Sequence, residues 1–510
     1  MRALYLHKRD FRFFDNEVLN WLNENLVEFA PVYIWEPSLM ATYEFSDMHQ
    51  FAVAQSLDGV RERYARQGVP FIEYVGEVVR TLDELHEELG IEILISHMEH
   101  GTEATFRRDI AIKEWCRSAG VRWIELPGST VKRGLKSRDD RIKVWNDHMA
   151  ARLKPVPKEL IGMKVDGVLS KWHADQISEF RFELNQKHRL LDFESRLQPV
   201  TEKAAHDTLQ DFLNERSVKY RGGISSPNSA LTHGSRLSVH LAWGTLSVRC
   251  VYKTAKQKMF ELQNPLPDGK PDAGQRRHYL SLKSFTARLH WRDHFIQRLE
   301  DQPDMPDHAL NPAFENIEFL QDQARLHAWL EGRTGEPMID ACMRCLQATG
   351  FINFRMRSMC LSYGVYGLHL DWRALGRAMA EVFYDYEPGI HWSQVQMQAG
   401  VVGINTIRVY SPDKQLLDQD PDCKFVKHWI PELSEFTAEE IKNYRNQLFD
   451  LDPHPMPIVP FKEQSASMKK LIYGIKNGAE NRKHKEDVYR RHGSRFSRPN
   501  PNRKVRRNSD

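Results

Sequence analysis

The stretch from Thr334 to Met359, TGEPMIDACMRCLQATGFINFRMRSM, decides how this chain is read. Its first half patterns as a capped amphipathic helix. Thr334 can cap, Pro337 suits a first turn whose N–H has no helical partner, and Gly350 stands where a left-handed residue would stop it. Met338, Cys342, Cys345, Leu346 and Thr349 fall on one face, and Glu336, Asp340, Arg344 and Gln347 on the other. From Phe351 to Tyr363 apolar residues go all round a helical wheel, which predicts a buried helix, yet it carries Asn353, Arg355 and Arg357. Arg355 lies between Phe351 and Met359 on that wheel. A guanidinium on a buried surface requires an anionic partner or ligand, because an unpaired buried charge is costly. The carboxylates Asp385 and Glu387, with Tyr386, stand before the break at Pro388 and Gly389 and are candidates for that pairing.

The chain has 510 residues, too many for one core, and divides into two domains with connections. It is 41% hydrophobic and 28% charged, with 12 Trp, 25 Phe and 16 Tyr, enough for a large globular interior and for stacking surfaces. No stretch approaches the roughly 20 apolar residues of a membrane span, and MRALYLHKRD does not read as a signal peptide, so a cytoplasmic protein without a membrane partner is expected. The six cysteines are too scattered for a disulfide framework. Cys342 and Cys345 have C-x-x-C spacing, but they share an apolar face and no second pair completes a four-thiolate set; packing is the reading preferred, and no metal is expected. The net charge of +3 is uneven. Residues 482–510 hold 11 Lys or Arg against three acids, leaving 61 basic and 66 acidic residues elsewhere. Such a tail is expected to be disordered and suits attraction to nucleic acid.

Residues 1–130 alternate apolar runs (Ala3–Leu6, Ala30–Trp35, Pro70–Val75, Ile91–Ser96, Val121–Leu126) with helical patterns (Val53–Gln67, Val78–Leu89, Thr105–Ala119). That order predicts an α/β domain with a doubly wound parallel sheet, whose ligands lie beyond the carboxyl ends of its strands. Neither GxGxxG nor a P-loop is present. Residues 131–200 read as an interdomain connection laid over the surface, 201–475 as an all-helical domain, and 476–510 as the basic tail. HGSRLS, residues 233–238, precedes a helical pattern and offers Gly, Ser and a cation suited to phosphate oxygens, or simply a cap.

The series TGEPMIDACMRCLQATG, LDWR, YDYEPG and IRVYSPDKQLLDQDPDCKFVKHWIPEL, with HGSRLSVHLAWGTLSVR and RLHWRDHF before it and LHKRDFRFFDN at the start, resembles the photolyase and cryptochrome family over residues 1–475. The resemblance implies FAD held non-covalently in the helical domain. By it, Tyr220 and His233, Gly234, Ser235, Arg236, Leu237 and Ser238 would hold the diphosphate. Arg355 would pair with Asp385, and Asn353, Asp385, Tyr386, Glu387 and Trp291 would line the flavin. Trp372 and Trp392 resemble two members of an electron relay, and Arg288, Trp291, Arg292 and Phe354 take positions that face DNA. The α/β domain would serve a second, antenna chromophore; Thr105 stands where a folate-binding acid is usual in the family.

Departures point to a divergent, bacterial-type subgroup. The outer relay tryptophan falls at Phe319, a lesion-contacting acid at Arg288, the Asn or His of the lesion-reading helix at Phe354, and the second tryptophan of the lesion wall near Val395. The Asn usually beside flavin N5 has no clear counterpart. The function implied is blue-light, FAD-dependent repair of pyrimidine dimers in ultraviolet-damaged DNA by a monomer. The alternative is a cryptochrome-type photoreceptor without repair.

Overall fold

The computed structural model describes residues 1–135, 137–165, 171–264, 269–443 and 454–494. Five strands, β1 (Arg2–Leu6), β2 (Glu28–Trp35), β3 (Ile72–Val75), β4 (Ile93–His97) and β5 (Arg122–Leu126), form one sheet ordered β3-β2-β1-β4-β5. Every pairing is parallel. Crossover helices α1 (Glu17–Glu24), α2 (Asp47–Ala65), α3 (Val78–Leu89) and α4 (Glu103–Ser118) wind this sheet. The strands hold the near-continuous apolar runs expected when both faces are covered: Ala3, Leu4 and Tyr5 have no exposed surface. The sequence order of strands turns round between β1 and β4, so their carboxyl ends, with Lys8–Asp10 and Glu99 just beyond, frame the crevice such sheets use.

Two expectations, one for the middle of the chain and one for its C-terminal end, are corrected. Residues 131–200 are more than a surface connection. Helix α5 (Arg141–Ala150) buries Trp145 and Met149, Phe29 and Gly162 form a parallel bridge beside β2, and α6 (Lys171–Leu190) buries Leu184. Charge obscured this in the sequence, because long basic side chains cover apolar surface while keeping their heads in water. The expected tail from residue 476 is also shorter than read: α15 (Ala479–His492) buries Asn481, Val488 and His492 against the helical domain. Residues 495–510 lie outside those described.

The remainder is helical, from α7 (Glu202–Asn214), α8 (Val248–Gln263) and the 29-residue α9 (Ala273–Asp301) to α10 (Pro337–Thr349), α11 (Phe354–Ser362), α12 (Trp372–Val382), α13 (Pro388–Ala399) and α14 (Phe461–Asn477). In the opening stretch Gly350 ends α10 with φ +64°, as its position predicts. The capping is reversed, however. Thr334 does not cap with its own side chain; Asp340 reaches back to accept from the Thr334 N–H at 2.8 Å, the Thr334 hydroxyl at 2.6 Å and the Gly335 N–H at 2.9 Å. Asp340 and Glu336, assigned to a polar face, are therefore buried, and Cys342 and Cys345 pack in the apolar core.

The two domains meet closely. Arg12 donates to Gly244 O, and the Arg9 guanidinium lies over the Trp243 ring at 4.7 Å. Gly244 adopts φ +69°, and a Cβ there would stand 2.0 Å from Arg9 O, so only glycine allows this approach.

Candidate functional site

The predicted phosphate loop is where basic groups collect. Arg236 sits at φ +57° between the short helices Pro227–His233 and Ser238–Ala242, with its guanidinium 3.9 Å over the Phe351 ring. Arg216 holds the loop by donating to Gly234 O and Ser235 O, and Gln198 by donating to Arg236 O at 3.0 Å. The Arg357 guanidinium stacks on the other side of the same region, 5.3 Å from the Phe351 ring and 4.1 Å from Phe383. Its Nη2 donates to both oxygens of Asp385, at 3.0 and 2.9 Å, and its Nε to Ile352 O at 2.8 Å.

This corrects the expected pairing of Arg355 with Asp385. Asn353 is the N-cap of α11, so Arg355 lies half-buried in its first turn, where its contact among the described residues is a long one, 3.5 Å, to Gln415 Oε1. The partner of Asp385 is Arg357. Burial alone would raise the Asp385 carboxyl; Arg357, the Ser238 hydroxyl and Arg236 bring it below the usual carboxylate range. Burial also pushes Arg236 down to about 10, with Asp385 opposing and Arg357 and Arg216 adding to the fall.

Arg216 is paired with Asp211 and Arg357 with Asp385, which leaves Arg236 as the guanidinium with no ion pair of its own among the described residues of this cluster. Arg236 Nη1, His233 Nδ1 and Asn353 Oδ1 are buried and have no hydrogen-bond partner among the described residues. The orphaned Arg236 Nη1, with His233 Nδ1 when it carries the proton, and the unpaired Arg236 charge are what a dianionic diphosphate would satisfy, whereas Asn353 Oδ1 is an acceptor left for a donor group of the ligand; the residues present fit that group. Asn353 is held by its Nδ2, which donates to Ile224 O and Ser225 O at 3.0 and 2.8 Å. Leu237 is buried beneath the loop, Ser238 bonds Asp385, and Tyr220 is buried with its hydroxyl toward Arg288.

Tyr386 and Glu387 turn away from this pocket toward the α/β domain, contrary to the expectation that they line a flavin. The Tyr386 hydroxyl donates to Glu44 Oε1 at 2.6 Å, and Arg9 Nη1 donates to Tyr386 O at 3.1 Å. Glu387 accepts from Arg292 Nη2 at 3.1 Å and borders an interdomain cavity of about 90 Å³ with Arg9, Asp10 and Glu99. Arg292 also donates to Asp293 and to Leu241 O, so it is an internal strut rather than a DNA-facing cation. The other three DNA-facing candidates lie outside: Arg288 is exposed, Trp291 is 38% exposed and Phe354 52% exposed. Val395, near which the second tryptophan of the family's lesion wall would fall, is buried in the core of the helical domain.

Trp372 on α12 and Trp392 on α13 are both fully buried, with ring centroids 6.3 Å apart at 76°. Gly376 makes this contact possible, since a Cβ there would meet the Trp392 ring at 2.4 Å. Trp392 Nε1 donates to the Tyr386 hydroxyl at 3.2 Å, and the Arg373 guanidinium lies 4.4 Å over the Trp372 ring. Phe319, at the expected outer relay position, is partly buried against the same core.

Two family models cover most of what has been described: "DNA photolyase" matches residues 3–137, and "FAD binding domain of DNA photolyase" matches residues 285–473. The chain belongs to the photolyase and cryptochrome family. Within that family it is 25% identical over 473 residues to the deoxyribodipyrimidine photo-lyase of Escherichia coli, spanning 89% of this chain and 95% of that one. It is 31% identical to the Thermus thermophilus deoxyribodipyrimidine photo-lyase over 210 residues, 41% of this chain and 45% of the relative. An archaeal photolyase from Sulfolobus tokodaii, solved with two FAD molecules, has the same fold at TM-score 0.74 and 24% identity, with 93% of this chain and 99% of that one aligned. A Synechocystis cryptochrome superposes with TM-score 0.76 at 18% identity, over 92% and 98% of the two chains. The helical part of this photolyase-family chain is accordingly an FAD-binding domain, and its loop 233–238 precedes the segment matched by that model.

Residues that sequence reasoning missed are Arg216, Arg357 and Glu44. Arg357 had a signal, being the second basic residue of the buried helix in the opening stretch, after Arg355. Glu44 had none, because it reaches the site from the other domain.

Proposed function

We propose that this chain repairs pyrimidine dimers in ultraviolet-damaged DNA by light-driven electron transfer from FAD. The observation that carries the reading is the pocket in which buried Arg236 lies beside the Arg216–Asp211 and Arg357–Asp385 pairs, with orphaned Arg236, His233 and Asn353 atoms facing no partner among the described residues. FAD, when bound, supplies light absorption and one-electron chemistry. The chain supplies binding and orientation: Arg236, Ser235, Gly234 and His233 toward the diphosphate, Asn353 and the Arg357–Asp385 pair beside the ring system. Trp392 and Trp372, 6.3 Å apart, lead away from it as an electron relay. Exposed Arg288, Trp291 and Phe354 are assigned to DNA. Cations there attract the phosphate backbone, and aromatic faces stack on an extruded base, the mode base-flipping photolyases use. The domain limits proposed are an α/β antenna domain over residues 1–130, a helix-bearing connection to residue 200, and a helical FAD domain extended past 475 to include α15. The reading carries with it a cytoplasmic monomer, in keeping with six buried free thiols. A second chromophore is assigned to the polar cavity beyond β1, β2 and β4, where Thr105 lines the wall with Lys8, Arg9, Glu99 and Arg108.

Incubation of the FAD-loaded protein with ultraviolet-irradiated DNA, in blue light and in darkness, tests the proposal. Light-dependent loss of dimers is expected; no light-dependent loss of any lesion overturns it. A second reading, a photoreceptor without repair, is favoured by Arg288 and Phe354 standing where relatives read lesions. It predicts reversible photoreduction with no change in the DNA.

A further inference from the structure

Trp392 is the point where the two domains touch the tryptophan pair. Its indole N–H donates to the Tyr386 hydroxyl at 3.2 Å, and that hydroxyl donates to Glu44 Oε1 at 2.6 Å. Glu44 comes from the α/β domain, on the short turn Tyr43–Phe45, and its other oxygen accepts from the Thr102 hydroxyl. The carboxylate borders the polar cavity, about 70 Å³, that also contacts Arg9, Glu99 and Arg108. The three groups therefore form one continuous line of hydrogen bonds, every donor pointing outward from the buried indole to a carboxylate at a polar cavity. Trp372 has no such line. Its Nε1 is buried without a partner among the described residues, and the Arg373 guanidinium over its ring disfavours positive charge there.

We propose that Tyr386 and Glu44 are a proton outlet for Trp392, fixing electron loss at this tryptophan by removing its indole proton. The inference rests on the flavin reading above, with light-excited oxidised flavin as the oxidant. One electron leaves the Trp392 indole for that oxidant. The indole N–H proton moves to the Tyr386 oxygen as the phenolic proton moves to Glu44 Oε1. The chain is left with a neutral indolyl radical, an intact phenol and a protonated Glu44, so charge and protons balance. Burial raises the Glu44 carboxyl, against its bonds from Thr102 and Tyr386, which suits it to hold that proton. Because deprotonation separates the electron from the proton that must accompany its return, recombination is slowed. Glu44 acts through Tyr386 and never touches the indole.

The test is transient absorption of the FAD-loaded full chain, comparing wild type with Tyr386→Phe, Glu44→Gln and Glu44→Asp in H2O and D2O. The proposal expects the wild type to pass from the protonated to the neutral tryptophan radical with a solvent isotope effect. Tyr386→Phe and Glu44→Gln should slow this step about a hundredfold, the scale of a lost positioned proton acceptor, and Glu44→Asp should restore part of it. In the flavin-free protein, the Raman band reporting indole N–H hydrogen bonding should shift in Tyr386→Phe. Unchanged deprotonation in both wire-breaking variants, with FAD content and the wild-type radical intact, overturns the outlet alone. Absence of bound FAD or of any tryptophan radical in the wild type overturns the flavin reading and the outlet with it.

Discussion

Replacing Asp385 by Asn is the sharpest probe of the pocket. The substitution keeps shape and removes the charge that faces Arg357 through two bonds of 3.0 and 2.9 Å. The carboxylate side chain is 5% exposed and the guanidinium 25%, so the pair is mostly but not fully desolvated. Breaking a buried pair by removing one partner costs about 3–5 kcal/mol; solvent access to Arg357 argues for the lower end, about 3 kcal/mol. Arg236 loses its one opposing carboxylate at the same time, which holds the cost up. The control is Arg355→Ala, which removes only the 3.5 Å contact to Gln415 and should stay within about 0.5 kcal/mol. The assay is urea unfolding of the flavin-free protein followed by fluorescence, with FAD content measured on the loaded protein. Equal effects of the two substitutions, or a loss below about 1 kcal/mol for Asp385→Asn, refute the reasoning that Asp385 is the carboxylate that balances Arg357 and Arg236.

Other outcomes follow from the same geometry. Arg236→Met should lower FAD affinity by at least roughly tenfold, since a charge-assisted bond contributes about 1.5–3 kcal/mol, while leaving the flavin-free fold intact; equilibrium dialysis reads this directly. Trp372→Phe should slow photoreduction and leave FAD content unchanged, and unaltered kinetics would remove Trp372 from the relay. His49, which bonds Phe383 O across the domain boundary at 2.8 Å, and His391 are each held by burial at about 4, and His240 at about 3. The unfolded imidazoles take up protons below about pH 6.5, the folded ones only near 4. Stability is therefore fully present above pH 6.5 and falls as the pH drops toward 4, and His49→Gln should flatten part of that fall in a pH series of thermal melts. Gly244→Ala should destabilise the domain contact by more than about 1 kcal/mol, because it combines φ +69° with a Cβ 2.0 Å from Arg9 O.

The α/β domain was legible because parallel strands buried on both faces are unbroken apolar runs. Ala3–Leu6 and Ile91–Ser96 match β1 and β4 to within two residues at each end. Helix α1 escaped notice because its eight residues give a short period, although Asn16 caps it through a bond to Leu19 N. The basic loop at residues 233–238 was legible from composition, since Gly, Ser and Arg before a helix suit anion binding; its assignment to a diphosphate remains the reading proposed above. Choosing between Arg355 and Arg357 was beyond a helical wheel. Met356, Met359, Cys360 and Tyr363 form the buried stripe, and the two arginines flank it symmetrically, one on each side. Which flank meets an acid depends on where Phe383–Glu387 crosses the helix.

The sequence by itself determined the doubly wound sheet, the helical second domain, the basic loop and the family, because each is carried by local period, turn residues or ordered motifs. Only the tertiary structure decided that Arg357 holds Asp385, that Glu387 and Arg292 brace each other inside the molecule, and that Glu44 reaches Tyr386. Those pairs are separated by 28, 95 and 342 positions. No local pattern encodes a partner that far along the chain; it is fixed when burial removes water and each charge or hydroxyl must find the one complementary group left within reach.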